Sequence, residues 1–178
     1  ILFGVKPTKP ETGYGYISVK KGKNLPPYEI VEFIEKPSNA KAKKLYNSSL
    51  TYWNSGLFLF KASKLIEESK KYCPSSYKHT LNAYRKRKYD GEYYFVDEEN
   101  FLKNKDISID YSVMQKSNSL MMCKLLSNWK DMGSWDSYWD YFKKDARKNY
   151  IIGENYSENC KNSLIISDKQ LTVTIGVE

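Results

Sequence analysis

Five short stretches of this chain carry residue types that bind sugar hydroxyls, phosphates or a hard metal ion. Thr12-Gly13-Tyr14-Gly15-Tyr16-Ile17 sets two glycines one residue apart. Lacking a Cβ, Gly15 lets the backbone come close to a ligand hydroxyl or phosphate; the alternative is a glycine bulge at a strand entrance with the tyrosines packing around it. Phe33-Ile34-Glu35-Lys36-Pro37 puts an acid beside a base at the end of an apolar strand. The break at Pro37 lets Lys36 turn towards the same open end as Glu35, so that a carboxylate grips hydroxyls and an ammonium grips phosphate. A surface ion pair of little energetic consequence is the competing account. Trp53-Asn54-Ser55-Gly56 brings an amide into an apolar strand, where its paired donor and acceptor suit a vicinal diol as well as a local turn. Asn128-Trp129-Lys130-Asp131-Met132-Gly133-Ser134-Trp135 holds Asp131 in a glycine-containing loop before a helix. Asp131 is there a hard oxygen ligand for Mg²⁺ or, like Ser134, a helix cap. Asp110, within Ser108-Ile109-Asp110-Tyr111-Ser112-Val113-Met114-Gln115, is either a first-turn acid favoured by the helix dipole or a polar group of the site.

The elements that must position these residues follow from pattern. Gly13–Val19 reads as a loop entering a strand that ends in a turn over Lys20-Lys21-Gly22-Lys23-Asn24, and Glu29–Glu35 as a second strand stopped by Pro37, the two forming a hairpin or pairing in one sheet. Ser38 or Asn39 caps a short helix through Tyr46, and Tyr52–Phe60 reads as a buried strand. Leu65, Ile66 and Ser69 share a helical face within 62–71, and a basic helix follows over about 75–88. Residues 89–106 show no clear period and are expected to be loop, with one helical turn around Phe101. Ser108 caps a helix with Ile109, Val113 and Met114 on one side, Leu120–Leu126 is a strand, and a helix carries Trp135, Trp139 and Phe142. Ser163–Ser167 and Leu171–Ile175 flank Asp168-Lys169-Gln170, which predicts a β-hairpin extension over about 150–178. Helices alternating with strands imply an α/β layer.

Composition narrows the function classes. With 178 residues, 40% hydrophobic and 28% charged, and 16 tyrosines, the chain can bury a core, which excludes a disordered segment and a disulfide-framed miniprotein. Its longest apolar stretch, Gly56–Phe60, falls far short of the roughly 20 residues that span a bilayer, so no membrane partner is expected. Cys73, Cys123 and Cys160 are odd in number and widely spaced, fitting neither a disulfide framework nor a zinc knuckle and pointing to a reducing, cytoplasmic compartment. A net charge of +8 favours anionic partners without choosing among them. His79 is the single histidine and has no Ser, Asp or Cys motif around it, so triad and histidine–metal hydrolysis lack support. Tyr84-Arg85-Lys86-Arg87-Lys88-Tyr89 could stack on single-stranded nucleic acid, but a solvated helix face is the favoured account and no nucleic-acid partner is expected. The first residues, Ile1-Leu2-Phe3-Gly4-Val5, read as the start of a piece of something longer.

Taken in this order and spacing, the motifs resemble the sugar-1-phosphate nucleotidyltransferases, most closely their mannose-1-phosphate guanylyltransferase branch. The runs that carry the resemblance are Gly4-Val5-Lys6-Pro7-Thr8, Pro10-Glu11-Thr12-Gly13-Tyr14-Gly15-Tyr16-Ile17, Phe33-Ile34-Glu35-Lys36-Pro37, Trp53-Asn54-Ser55-Gly56-Leu57-Phe58, Ser108-Ile109-Asp110-Tyr111-Ser112-Val113-Met114 and Trp129-Lys130-Asp131-Met132-Gly133-Ser134-Trp135. The resemblance implies an α/β, Rossmann-like nucleotidyltransferase fold with a mixed central sheet and its N-terminal part missing, so that residues 1–178 form a partial domain. It implies transfer of GMP from GTP to mannose 1-phosphate with release of pyrophosphate. Gly15, Glu35 and Asn54 would then hold mannose hydroxyls with Asp110 at the same site, Lys36 would neutralise the sugar phosphate, and Asp131 would ligate Mg²⁺. A homo-oligomer is compatible with it. Gln115 stands where the pattern has an acid. The family's glycine-rich nucleotide loop and first metal-binding aspartate have no counterpart, which implies an acceptor half-site with little activity by itself. Another hexose-1-phosphate nucleotidyltransferase of the glucose-1-phosphate type and a noncatalytic sugar-phosphate-binding subunit are the alternatives.

Overall fold

Five strands of the first unit hydrogen-bond into a mixed sheet that closes on itself. The computed structural model describes residues 1–22 and 25–178, in two units, 1–127 and 128–178. In the first unit the strands are β1 (Leu2–Val5), β2 (Tyr16–Val19), β3 (Tyr28–Ile34), β4 (Thr51–Phe58) and, after a two-stranded hairpin described below, β7 (Met121–Lys124). Their order is β1-β4-β2-β3-β7, and β7 pairs back to β1 in parallel, Leu2 opposite Met122. The remaining ladders are antiparallel. The expected pairing of β2 with β3 is present, with Tyr16 opposite Ile34. The turn expected over Lys20–Asn24 is seen at Lys21 and Gly22, its last two residues lying outside the described ones.

Alternation in these strands sends Leu2, Ile17, Val19, Tyr28, Phe33, Tyr52 and Met122 into one core, which Met114 completes. Helix α1 (Asn39–Tyr46) starts at Ser38, whose hydroxyl accepts from the Lys41 N–H, and buries Ala42 and Leu45. In α2 (Ala62–Tyr72), Leu65 packs on the core while Ile66 is exposed, so the apolar stripe is narrower than the spacing suggests. The buried Glu68 carboxylate on α2 accepts from the Ser117 hydroxyl at 2.5 Å and pairs with Lys64 at 3.1 Å. Those contacts, the Ser117 hydrogen bond foremost, hold its pKa below the ordinary carboxylate value. Helix α3 (Pro74–Arg85) opens with proline in its first turn, where the missing N–H costs nothing.

Two expectations fail in the first unit. Residues 88–95 form a hairpin, β5 (Lys88–Asp90) with β6 (Tyr93–Phe95), before the one-turn helix α4 (Glu98–Phe101). All six strand residues are exposed, so no inward-outward alternation marks them; the signal is Gly91, which opens the two-residue turn Gly91-Glu92 with a φ of 59°. The helix expected after Ser108 is a single π turn over Asp110–Met114, in which the Gln115 N–H donates to the Asp110 carbonyl at 2.8 Å. Arg87 does not present a free cation: its guanidinium lies 3.9 Å from the Tyr84 ring centroid and donates to the Tyr89 hydroxyl.

The second unit also departs from expectation. After α5 (Trp135–Tyr141) come β8 (Tyr150–Ile152), β9 (Asn155–Glu158), β10 (Leu164–Ile166) and β11 (Thr172–Ile175). The hairpin between β10 and β11 does not form. Instead β10 pairs in parallel with β8, and β11 in parallel with β9, as two stacked turns of a coil. The buried Asn149 amide explains the stacking: it donates to the Cys160 carbonyl at 3.0 Å and accepts from the Ser163 N–H at 3.1 Å, bridging one turn to the next. The Trp139 indole donates to the Lys148 carbonyl at 3.2 Å, and Phe142 stacks on Tyr150.

Ile17 is fully enclosed whereas Ile66 is 46% exposed. Ile17→Ala is therefore expected to destabilise the first unit by about 2–5 kcal/mol, and Ile66→Ala by no more than about 0.5 kcal/mol, measured by urea unfolding; equal losses would contradict this core.

Candidate functional site

Gly15 stands just before β2, at the point where β2, the end of β3 and the middle of β4 converge. The Asn54 backbone N–H donates to the Gly15 carbonyl at 2.7 Å. A Cβ on Gly15 would overlap Glu35 Oε2 and crowd Asn54 Cβ at 3.2 Å and Phe33 Cζ at 3.3 Å, so a side chain there would displace the Glu35 carboxylate from its present position. The loop leading to it is pinned by Glu11. Its Oε1 accepts from the N–H groups of Thr12 and Gly13 at 2.9 and 3.1 Å, and its carbonyl accepts from the Tyr16 hydroxyl at 2.8 Å. The Gly13 N–H and Lys9 keep the Glu11 carboxyl below its usual pKa. Tyr14 sets its ring edge-on to Trp53, with centroids 5.1 Å apart.

Glu35 follows β3 directly and is half-buried; its Oε2 is enclosed with no hydrogen-bond partner among the described residues. Burial raises its pKa, the Asp110 carboxylate raises it further, and Lys36 opposes both. Lys36 has a φ of 45°, a left-handed conformation that costs a non-glycine residue free energy and recurs at functional sites. The conformation arises one residue before Pro37, which disfavours the right-handed helical region at that position. Lys36 is exposed.

Asn54 is 9% exposed. Its Nδ2 donates to Asp110 Oδ1 at 3.0 Å, and its Oδ1 accepts from the Gly56 N–H at 3.2 Å. The π turn delivers Asp110 because Ser112, Val113 and Met114 are buried behind it, and such turns often mark functional sites. The structure thus gathers four of the six sequence-derived candidates, Gly15, Glu35, Asn54 and Asp110, with Lys36 adjoining them through the chain. Spacing gave no hint of Phe33, which walls Gly15, or of Tyr111, whose hydroxyl is 3.5 Å from the Glu35 carbonyl. Only Tyr111's position beside Asp110 could have pointed to it.

Asp131 belongs to the second unit. Ser134, not Asp131, caps α5, accepting from the Ser137 N–H at 3.1 Å. Asp131 is exposed, and its Oδ1 accepts from the Gly133 N–H at 3.1 Å. Among the described residues no three or more His, Cys, Asp or Glu gather as a metal cage. A single hard carboxylate still fits Mg²⁺, which is commonly held by one or two protein carboxylates with substrate phosphates and waters completing its shell.

The family described as Nucleotidyl transferase matches residues 1–148. The chain is 37% identical over 177 residues to a mannose-1-phosphate guanylyltransferase of Salmonella muenchen, covering 99% of this chain and 37% of that protein. It is 38% identical over 180 residues to the alginate biosynthesis protein AlgA of Pseudomonas aeruginosa, covering 100% and 37%. The chain therefore spans little more than a third of these relatives. A crystal structure described as mannose-1-phosphate geranyltransferase from Thermus thermophilus superposes with a TM-score of 0.75 at 27% identity, covering 99% of this chain and 50% of that one. Another, described as mannose-6-phosphate isomerase from Helicobacter pylori, gives 0.63 at 34% identity, covering 73% and 50%.

Because Glu35 binds its proton more tightly in the folded state, stability falls as pH rises from the ordinary carboxylate pKa through the raised one, and the cost persists at neutral pH. Glu35→Gln is expected to raise the unfolding midpoint at neutral pH and to lose that advantage below about pH 4. An unchanged or lower midpoint at neutral pH would count against a penalised Glu35 carboxylate.

Proposed function

The chain belongs to the nucleotidyl transferase family, and on that footing we propose that it carries the acceptor-sugar site for GMP transfer from GTP to mannose 1-phosphate. One observation carries this: a glycine whose missing side chain leaves room for an enclosed carboxylate oxygen that has no hydrogen-bond partner among the described residues, beside an asparagine amide. Such a cradle offers backbone, carboxylate and amide to neighbouring hydroxyls, the donor and acceptor chemistry of a hexose. The guanylyltransferase relatives support mannose 1-phosphate as the acceptor.

In the transfer, a phosphate oxygen of mannose 1-phosphate forms a bond to the α-phosphorus of GTP. The bond from that phosphorus to the bridging oxygen breaks, and pyrophosphate leaves with its electron pair. No protein nucleophile is required, so the chain's task is alignment and charge neutralisation. Glu35 and Asn54 orient the sugar, and Gly15 lets it approach the backbone. Lys36, turned out of the strand by its left-handed backbone, meets the phosphate. Asp131 would supply one oxygen to Mg²⁺, which when bound would offset charge on the phosphates. A cytoplasmic setting, where nucleotides and sugar phosphates meet, is part of the proposal. Among the described residues no helix is long and apolar enough to cross a membrane.

Calorimetric titration with mannose 1-phosphate tests the reading. Saturable binding is expected, weakened about tenfold or more by Asn54→Ala, which removes about 1.4 kcal/mol or more, and abolished by Gly15→Ala. Equal or tighter binding of glucose 1-phosphate would move the assignment to the glucose-type enzymes. In a preparation that turns over GTP and mannose 1-phosphate, Asp131→Asn is expected to stop pyrophosphate release with the melting temperature little changed, since the residue is exposed; normal turnover would remove Asp131 from the metal site.

A further inference from the structure

We propose that Asp110 is the positioning residue of the sugar site, locking the Asn54 amide in a single orientation. The proposal rests on the sugar-site reading above and adds how that site is kept in working order.

An asparagine amide is nearly symmetric in shape, so its neighbours decide which way it faces. At Asn54 both neighbours agree. Nδ2 donates to Asp110 Oδ1 at 3.0 Å, while Oδ1 accepts from the Gly56 N–H at 3.2 Å. Turning the amide over would oppose oxygen to the Asp110 carboxylate and place an NH₂ against the Gly56 N–H, breaking two hydrogen bonds at once in a residue only 9% exposed. An ionised carboxylate only accepts, so Asp110 specifies the amide more firmly than a hydroxyl or a second amide would. One Asn54 N–H and one lone pair of its oxygen remain for a ligand.

The same carboxylate bears on Glu35. The charged groups acting on Glu35 are Asp110, from the π turn, and Lys36, from its own segment. Asn54 on β4 is neutral, Gly15 brings no side chain, and Tyr111 reaches only the Glu35 carbonyl. Burial foremost, and Asp110 with it, raise the Glu35 carboxyl's pKa, while Lys36 opposes them. In the π turn, the Gln115-to-Asp110 backbone bond of 2.8 Å and the buried Ser112, Val113 and Met114 fix where Asp110 stands.

Two variants separate the hydrogen bond from the charge. Asp110→Asn keeps an oxygen able to accept from Asn54 but removes the charge, whereas Asp110→Ala removes both. In NMR spectra of the ligand-free protein, the Asn54 side-chain NH₂ pair is expected to be distinct and slow to exchange in the wild type and in Asp110→Asn, and to lose that protection in Asp110→Ala. Affinity for mannose 1-phosphate is expected to fall about tenfold in Asp110→Ala and to be largely restored in Asp110→Asn. An Asn54 NH₂ pair unaffected by Asp110→Ala overturns the proposal. If the wild type fails to bind mannose 1-phosphate, the sugar-site reading falls, while the ligand-free spectra still decide the role of Asp110.

Discussion

The hydrogen bond from the Asn54 N–H to the Gly15 carbonyl, 2.7 Å long, ties the loop before β2 to β4, and the bare Cα of Gly15 leaves room beside it for the Glu35 carboxylate; the rest of the site depends on that closeness. A Cβ there would occupy the volume that Glu35 Oε2 already fills. With hydrogen in its place, the loop before β2, the end of β3 and the middle of β4 come within one van der Waals layer of each other. Three polar functions then share a space that no single strand could furnish, since neighbouring residues of one strand face opposite sides. The sheet order makes this convergence unavoidable, because β2 is hydrogen-bonded to both β3 and β4.

Closeness has an electrostatic cost. Two carboxylates, Glu35 and Asp110, stand near one another with the Lys36 ammonium adjoining, and one Glu35 oxygen is shut away without a partner among the described residues. Such an arrangement stores free energy that a ligand's hydroxyls could release by supplying the missing hydrogen bonds. The strain at Lys36, held in a left-handed conformation before Pro37, belongs to the same balance. Neither feature helps the fold, and both make sense once a polar ligand is placed beside them. The stability they forgo comes from the core beneath, where Leu2, Ile17 and Met122 are enclosed, and from the pinning of Glu68 by Ser117 and Lys64.

The second unit is built on a different rule. Its strands are three or four residues long and pair in parallel with the strand one turn later, so no strand meets its sequence neighbour. Buried amide hydrogen bonds at Asn149 take the part that tight turns take in a hairpin. The loop holding Asp131 is ordered by its own contacts, the Gly133 N–H on the carboxylate and the Ser134 cap on α5.

Much of the local structure was legible in the chain itself. Gly15, Glu35, Lys36, Asn54, Asp110 and Asp131 stood out as candidates by residue type, local context and family resemblance, and β2, β3, β4, α1 and α2 followed from periodicity and punctuation, because those signals lie within a few residues of where they act. The β5–β6 hairpin escaped notice because exposure on both faces erases alternation. The parallel coil was mistaken for a hairpin because short apolar strands look alike whichever neighbour they pair with. Only the tertiary structure decided that Asp110 meets the Asn54 amide, 56 residues away in sequence, and that one Glu35 oxygen has no hydrogen-bond partner among the described residues. Contacts of that kind arise from strand order and burial, which depend on the whole chain collapsing around one core and leave no mark in any local stretch of residues.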